Sequence, residues 1–261
     1  MFVERPHGRL FYEVVEPRTG AGAGTVVFLH GVAVTHEVWR DWHGALADHR
    51  LLLIDVRGFG RSAGMGGIDG WTLDDLSDDV LAVADHAGAE AFHAVGESSG
   101  GTAVLNLACR GLGRLRTATA VSAAHRGGHI DRVKRWRTDL DANGMAWWSA
   151  EMMQRRFLPG ALTDRQFARF KAMQDASPAE PVLRLGELLL GTDLTPARAG
   201  ITCPLLLIVP DRSPFVTPEV PLEVLNAVPT ASLSVVPASR HGIVYSHAAY
   251  CARLVADLVA G

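Results

Sequence analysis

Cysteine is scarce in this chain of 261 residues: Cys109, Cys203 and Cys251 are an odd number and lie far apart. No two form a CxxC pair, so all three are expected as buried thiols in a reducing compartment. No window approaches the roughly 18 unbroken apolar residues of a membrane helix, which sets aside a membrane-spanning role. The stretch Met1–Leu10 carries Glu4, Arg5, Pro6 and His7 and lacks the apolar core of a signal peptide, so the expected location is the cytoplasm. Lys and Arg are scattered, the formal net charge is −3, and there is neither a basic stripe nor an acidic tail. Nucleic acid is therefore not an expected partner. Internal repeats and low-complexity tracts are missing as well. What remains is a composition of 48 % apolar and 20 % charged residues, enough for a sizeable core in one α/β domain or in a core with an inserted sub-domain.

Strand and helix patterns alternate along most of the chain, which predicts a mostly parallel sheet covered by helices on both faces. Arg9–Val15 reads as part of an antiparallel edge hairpin, and the glycine-rich stretch 19–24 as the turn after it. Buried strands are expected at Thr25–Leu29, Leu51–Ile54, Ala91–Val95, Arg116–Ser122, Cys203–Val209 and Ser232–Val236. Helices are expected at Glu37–His49, Trp71–Ala87, Ser99–Arg110 and His247–Val259, with Asp74, Asp75, Asp78 and Asp79 marking a solvated face. Between 123 and 200 the strand signals stop. The expected organisation is a core of residues 1–122 and 201–261, with a helical lid sub-domain over 123–200.

The strongest local signal is Gly96-Glu97-Ser98-Ser99-Gly100. Five such letters arise easily by chance in a chain with 27 glycines. A strand before them and a helix after them are what a chance match would lack, and both are expected here. A nucleophile on such a strand-turn-helix junction is held clear of the sheet, and small neighbours let strand and helix approach. Ser98 is therefore the expected nucleophile, and the N–H of Ser99 an expected oxyanion donor. Gly31 ends another apolar strand, so the N–H of Val32 is the second expected donor, and His30 is read as structural. A serine hydroxyl needs a base. Of the 11 histidines, His241 alone lies in a loop directly after the last apolar strand; the nearest competitor, His247, starts the final helix. The order Ser…Asp…His selects Asp211, after Val209, as the residue that orients the histidine. The other candidate strand end, after Ser122, offers no carboxylate before Asp131, and Asp55 is read as fixing its own loop. Trp147, Trp148 and Met152 in the lid, with Phe215 and Val216, are the candidates for an apolar substrate pocket.

In this order Leu29-His30-Gly31, Asp55-Val56-Arg57-Gly58-Phe59-Gly60-Arg61-Ser62, Gly96 to Gly101, Pro210-Asp211-Arg212 and Arg240-His241-Gly242 resemble the motifs of the α/β-hydrolase superfamily over the whole chain. The resemblance implies an eight-stranded, mostly parallel sheet, a helical lid after the sixth strand, and no cofactor or metal. Relatives often have glycine three residues before the acid, where this chain has Ile208. The loop after His30 is not the HGxGPG type of C–C bond hydrolases, and a serine in the elbow speaks against epoxide hydrolases and dehalogenases. The expected function is hydrolysis of a carboxylic ester or lactone of a small, partly apolar molecule through an acyl-serine, by a monomer or homodimer. Thioester, amide or C–C cleavage by the same residues is the nearer alternative. A ligand-binding protein with negligible turnover is the alternative of another class.

Overall fold

A computed structural model describes residues 1–18, 20, 22–128 and 130–261, and of Asp131 and Arg132 the backbone alone. The turn expected over 19–24 thus lies partly outside the described residues. Eight strands form one sheet: β1 (Phe2–Arg5), β2 (Gly8–Val15), β3 (Thr25–Leu29), β4 (Arg50–Ile54), β5 (Phe92–Glu97), β6 (Leu115–Val121), β7 (Leu205–Pro210) and β8 (Ala231–Val236). Their order is β1-β2-β4-β3-β5-β6-β7-β8. The β1–β2 and β2–β4 pairs are antiparallel and every later pair is parallel.

β3, β4 and β7 carry apolar side chains on both sides because both faces of the sheet are covered. On β3, Val27 and Leu29 face a core shared with α1 (Leu73–His86) and α2 (Ser99–Cys109), whereas Val26 and Phe28 face one shared with α8 (Ala248–Ala260). Burying a side chain of this size contributes about 1.5–3 kcal/mol. The helix expected over Glu37–His49 is instead a 3₁₀ segment, His36–Trp42, followed by turns. Three residues per turn put Trp39 and Trp42 on one side, where their rings meet edge to face at 5.0 Å over Phe28. The acidic face of α1 also needs correction. Asp79 is 2 % exposed and takes a two-pronged bond from Arg57, at 2.8 Å for both Nε and Nη2, and another from Arg5. Desolvated charges of this kind stay only when paired.

Thr72 caps α1, accepting from the Asp75 N–H at 3.2 Å while the Asp75 carboxylate accepts from the Thr72 N–H at 2.8 Å. Thr72→Ala is expected to cost about 1 kcal/mol, read as a lower urea midpoint with an unchanged slope.

The parallel register decides where function can sit. Leu29 pairs with Gly96, Glu97 with Val121, Val121 with Ile208, and Pro210 with Val236, so the carboxyl ends of β3, β5, β6, β7 and β8 form one edge. Between β6 and β7 the described residues contribute no strand to the sheet and run as α3 (Trp136–Arg156), α4 (Asp164–Asp175) and α5 (Ala179–Gly191), with α3 broken at Gly144. The two ends of this insertion pair with each other: the Leu194 N–H donates to His125 O and the Gly127 N–H to Thr192 O, each at 2.8 Å. After β7 come α6 (Glu219–Ala227) and, past β8, α7 (Ile243–Ser246).

Candidate active site

Ser98 stands between β5 and α2 with φ +53° and ψ −118°, a conformation a side-chain-bearing residue adopts only when its surroundings impose it. They do so from both flanks. A Cβ on Gly96 would enter the Gly100 carbonyl, and one on Gly100 would lie 2.5 Å from Leu29 O. The Ser98 N–H is held by Val121 O at 2.9 Å. In this turn the Ser98 hydroxyl lies 3.0 Å from Nε2 of His241.

The His241 loop is tied down from several sides. Ser122 donates to its carbonyl at 2.8 Å, the Gly242 N–H donates to Arg156 O at 3.0 Å, and Phe215 meets the imidazole edge on at 4.8 Å. Asp211 belongs to the same support. Its carboxylate accepts from the Ala238 and Ser239 N–H groups at 2.9 Å each, and these bonds hold its pKa below the usual carboxylate value. Asp211 is therefore not brought to the imidazole. Nδ1 of His241 faces the Ser213 hydroxyl at 3.2 Å, and among the described residues no carboxylate bonds to it. The Ser213 oxygen also accepts from the Phe215 and Val216 N–H groups, at 3.2 and 3.1 Å. These bonds weaken it as an acceptor for an Nδ1 proton, and it carries no charge to set against an imidazolium. Sequence order selected Asp211 because it is the first carboxylate after β7. Nothing in that order signals that Asp211 turns to the β8 loop and Ser213 to the histidine.

His30, after β3, is fully buried. Its Nε2 accepts from the Val56 N–H at 2.9 Å, which puts the ring proton on Nδ1, 2.7 Å from Gly31 O. Burial lowers the pKa of this imidazole to about 4, so it stays neutral. A trans peptide points its N–H opposite its carbonyl, so pinning Gly31 O to His30 turns the Val32 N–H the other way. The ring of His30 thus sets the direction of the Val32 N–H, the group expected from the sequence as an oxyanion donor. Asp55 accepts from the His36 and Arg61 N–H groups at 2.8 Å each, fixing the loop after β4.

A narrow cavity of about 20 Å³ opens on Ser98 and His241. Val32, Trp136, Arg156, Leu189, Phe215 and Val216 are among its walls. Trp147, Trp148 and Met152 are not. Trp147 is 41 % exposed, and Trp148 and Met152 are buried within the helical insertion, where Trp148 packs edge to face on Trp136 at 5.2 Å. Helical periodicity made these residues interchangeable on paper; packing turned Trp136 toward the cavity instead. Two charged groups near the site escaped sequence reading, Glu97 and Arg156, each 6 % exposed. Burial and then the Arg156 charge lower the His241 pKa to about 3, so the imidazole is unprotonated at neutral pH.

Residues 24–248 match the family model for the alpha/beta hydrolase fold. The chain is 27 % identical to 3-oxoadipate enol-lactonase 1 of Acinetobacter baylyi, over 75 % of this chain and 73 % of that one. It is 29 % identical to a pimeloyl-[acyl-carrier protein] methyl ester esterase of Pectobacterium atrosepticum, over 87 % of this chain and 91 % of that one. A further match, to the dihydrolipoyllysine-residue acetyltransferase component of the acetoin cleaving system of Pseudomonas putida, has 33 % identity over 43 % of this chain and spans only 30 % of that protein. Among solved structures, the enol-lactonase of Burkholderia xenovorans superposes with a TM-score of 0.88 at 23 % identity, each chain covered in full. With its sheet order, its serine turn and a family match over most of its length, the chain belongs to the alpha/beta hydrolase family.

Proposed function

We propose that this chain hydrolyses a carboxylic ester or lactone of a small, partly apolar molecule through an acyl intermediate on Ser98. The observation that carries the reading is the 3.0 Å approach of His241 Nε2 to the Ser98 hydroxyl on a strained strand-to-helix turn. In the first step Nε2 takes the hydroxyl proton while Oγ bonds to the carbonyl carbon, and the carbonyl electron pair moves onto oxygen. The N–H groups of Val32 and Ser99 receive that oxyanion. Collapse expels the alkoxide, which takes the proton from Nε2. Water then repeats the sequence on the acyl-serine and releases the acid. The likeness to an enol-lactonase and a methyl ester esterase, over 75 % and 87 % of this chain, supports oxygen esters over amides or C–C bonds.

Residues 123–200 act as a lid sub-domain on the core of 1–122 and 201–261, a reading supported by the paired ends of the insertion and by Trp136 and Leu189 in the cavity wall. The three free cysteines suit a reducing compartment, and we read the protein as cytoplasmic. The test is incubation with a fluorophosphonate probe, p-nitrophenyl acetate and butyrate, and a small lactone. Covalent labelling on the peptide containing Ser98, with turnover of the esters or the lactone, is the expected result. A second reading, a ligand-binding protein with negligible turnover, is favoured by one feature, the uncharged partner on Nδ1. It wins if the chain neither labels nor turns over while the same small molecules raise its Tm.

A further inference from the structure

We propose that Glu97, the residue before the nucleophile, is the acid that balances the His241 imidazolium, acting from the Nε2 side because a hydroxyl rather than a carboxylate meets Nδ1. The inference rests on the Ser98–His241 reading above. One oxygen of Glu97, Oε1, lies 3.8 Å from Nε2, the nitrogen that receives the proton. The other, Oε2, lies against the space left by the missing Gly31 side chain, where any Cβ would collide with it. Glu97 is not among the residues lining the cavity, so it acts through the histidine and not on the substrate. It is a positioning residue.

Two titratable groups face it among the described residues, the neutral His241 from the loop after β8 and the charged Arg156 from the end of α3. Were the Glu97 and Arg156 charges a purely structural pair, they would be expected to bond as Arg57 and Asp79 do, through two hydrogens at 2.8 Å. Arg156 instead gives Nη1 to Gln174 Oε1 at 2.6 Å and Nη2 to Val32 O at 2.7 Å, both neutral acceptors. The guanidinium disfavours an imidazolium on His241, and a carboxylate 3.8 Å from that ring offsets it. Proton transfer from Ser98 to Nε2 then occurs beside a negative charge, and Glu97 itself neither gains nor loses a proton in the step.

The sign of the pH dependence follows. Burial raises the Glu97 pKa to about 7, and only the ionised carboxylate assists, so kcat climbs as pH rises through about 7 and falls as Glu97 protonates below it. The experiment follows hydrolysis of p-nitrophenyl butyrate from pH 5 to 9 by wild type, Glu97→Gln, and Glu97→Gln combined with Ser213→Asp. Glu97→Gln is expected to lower kcat at pH 8 about tenfold to a hundredfold, with KM changed by less than about threefold, and to abolish the limb near pH 7. Adding Ser213→Asp, which supplies a carboxylate at Nδ1, is expected to recover at least about tenfold. A Glu97→Gln enzyme that keeps the wild-type kcat and limb overturns the proposal. So does a loss of kcat with neither a changed limb nor rescue, since that marks a merely structural glutamate. The wild-type profile decides independently of how the variants fold: a flat kcat between pH 5 and 8 overturns it too. Failure of the hydrolase reading is distinct, appearing as no turnover in the wild type itself.

Discussion

Ser98→Ala is expected to lower kcat/KM by about 10⁴-fold or more and to end fluorophosphonate labelling, with the Tm changed by only a few degrees. The size follows from what is lost. Without the hydroxyl, His241 has no proton to take and no acyl-enzyme forms, so only the proposed oxyanion donors and the cavity walls remain to assist a direct attack by water. The small effect on stability follows from the backbone. Position 98 has φ +53° whichever of the two side chains stands there, because Gly96 and Gly100 on either side set the turn, and alanine strains it no more than serine does. The hydroxyl's bond is to a histidine at the edge of a cavity, so little folding energy rides on it. Steady-state kinetics and intact-protein mass after probe treatment check both halves. An alanine variant that retains activity would remove Ser98 from the mechanism and leave the fold assignment untouched.

Gly96→Ala is expected to destabilise the chain by about 3 kcal/mol or more, seen as a large drop in the urea midpoint, and to cost most of the activity that survives. The added Cβ has no room because its neighbours are backbone: the carbonyl of Gly100 and, at 2.6 Å, the N–H nitrogen of Gly101. A flexible side chain could swing aside, but the first turn of α2 cannot move without dragging Ser98. A displacement of about 1 Å at the nucleophile is enough to cost on the order of 100-fold in rate. A variant with wild-type stability would mean that β5 and α2 are not locked at this crossing.

The strands, the helices on both faces and the serine turn were legible because each has a local cause. Unbroken apolar runs such as LLLI and LLLIV make sense only where both sides are buried. Glycines flanking a serine between a strand and a helix make sense only where the two backbones nearly touch. His241 was found in the same way, by its place just past the last strand. Where the reading failed, the cause was direction. Asp211 and Ser213 lie two residues apart after one strand, and the turn between them decided that the carboxylate ties the β8 loop while the hydroxyl meets the imidazole. Trp136, Trp147 and Trp148 share a helical segment, and the break at Gly144 together with packing assigned them to cavity, surface and interior respectively.

By itself, then, the sequence determined the α/β-hydrolase architecture, the strand-turn-helix junction that carries Ser98, and a histidine at the same edge of the sheet. Periodicity and close backbone approach are properties of neighbours along the chain, and they can be read there. Only the tertiary structure decided what surrounds this site: a serine on Nδ1 of His241, a buried Glu97 beside Nε2, an Arg156 whose charge acts on both Glu97 and His241, and His30 turning the Val32 peptide. Charge balance and donor direction depend on side chains brought together from distant segments, 124 residues apart in the case of Arg156 and Val32, and no spacing along the chain encodes the angle at which they meet.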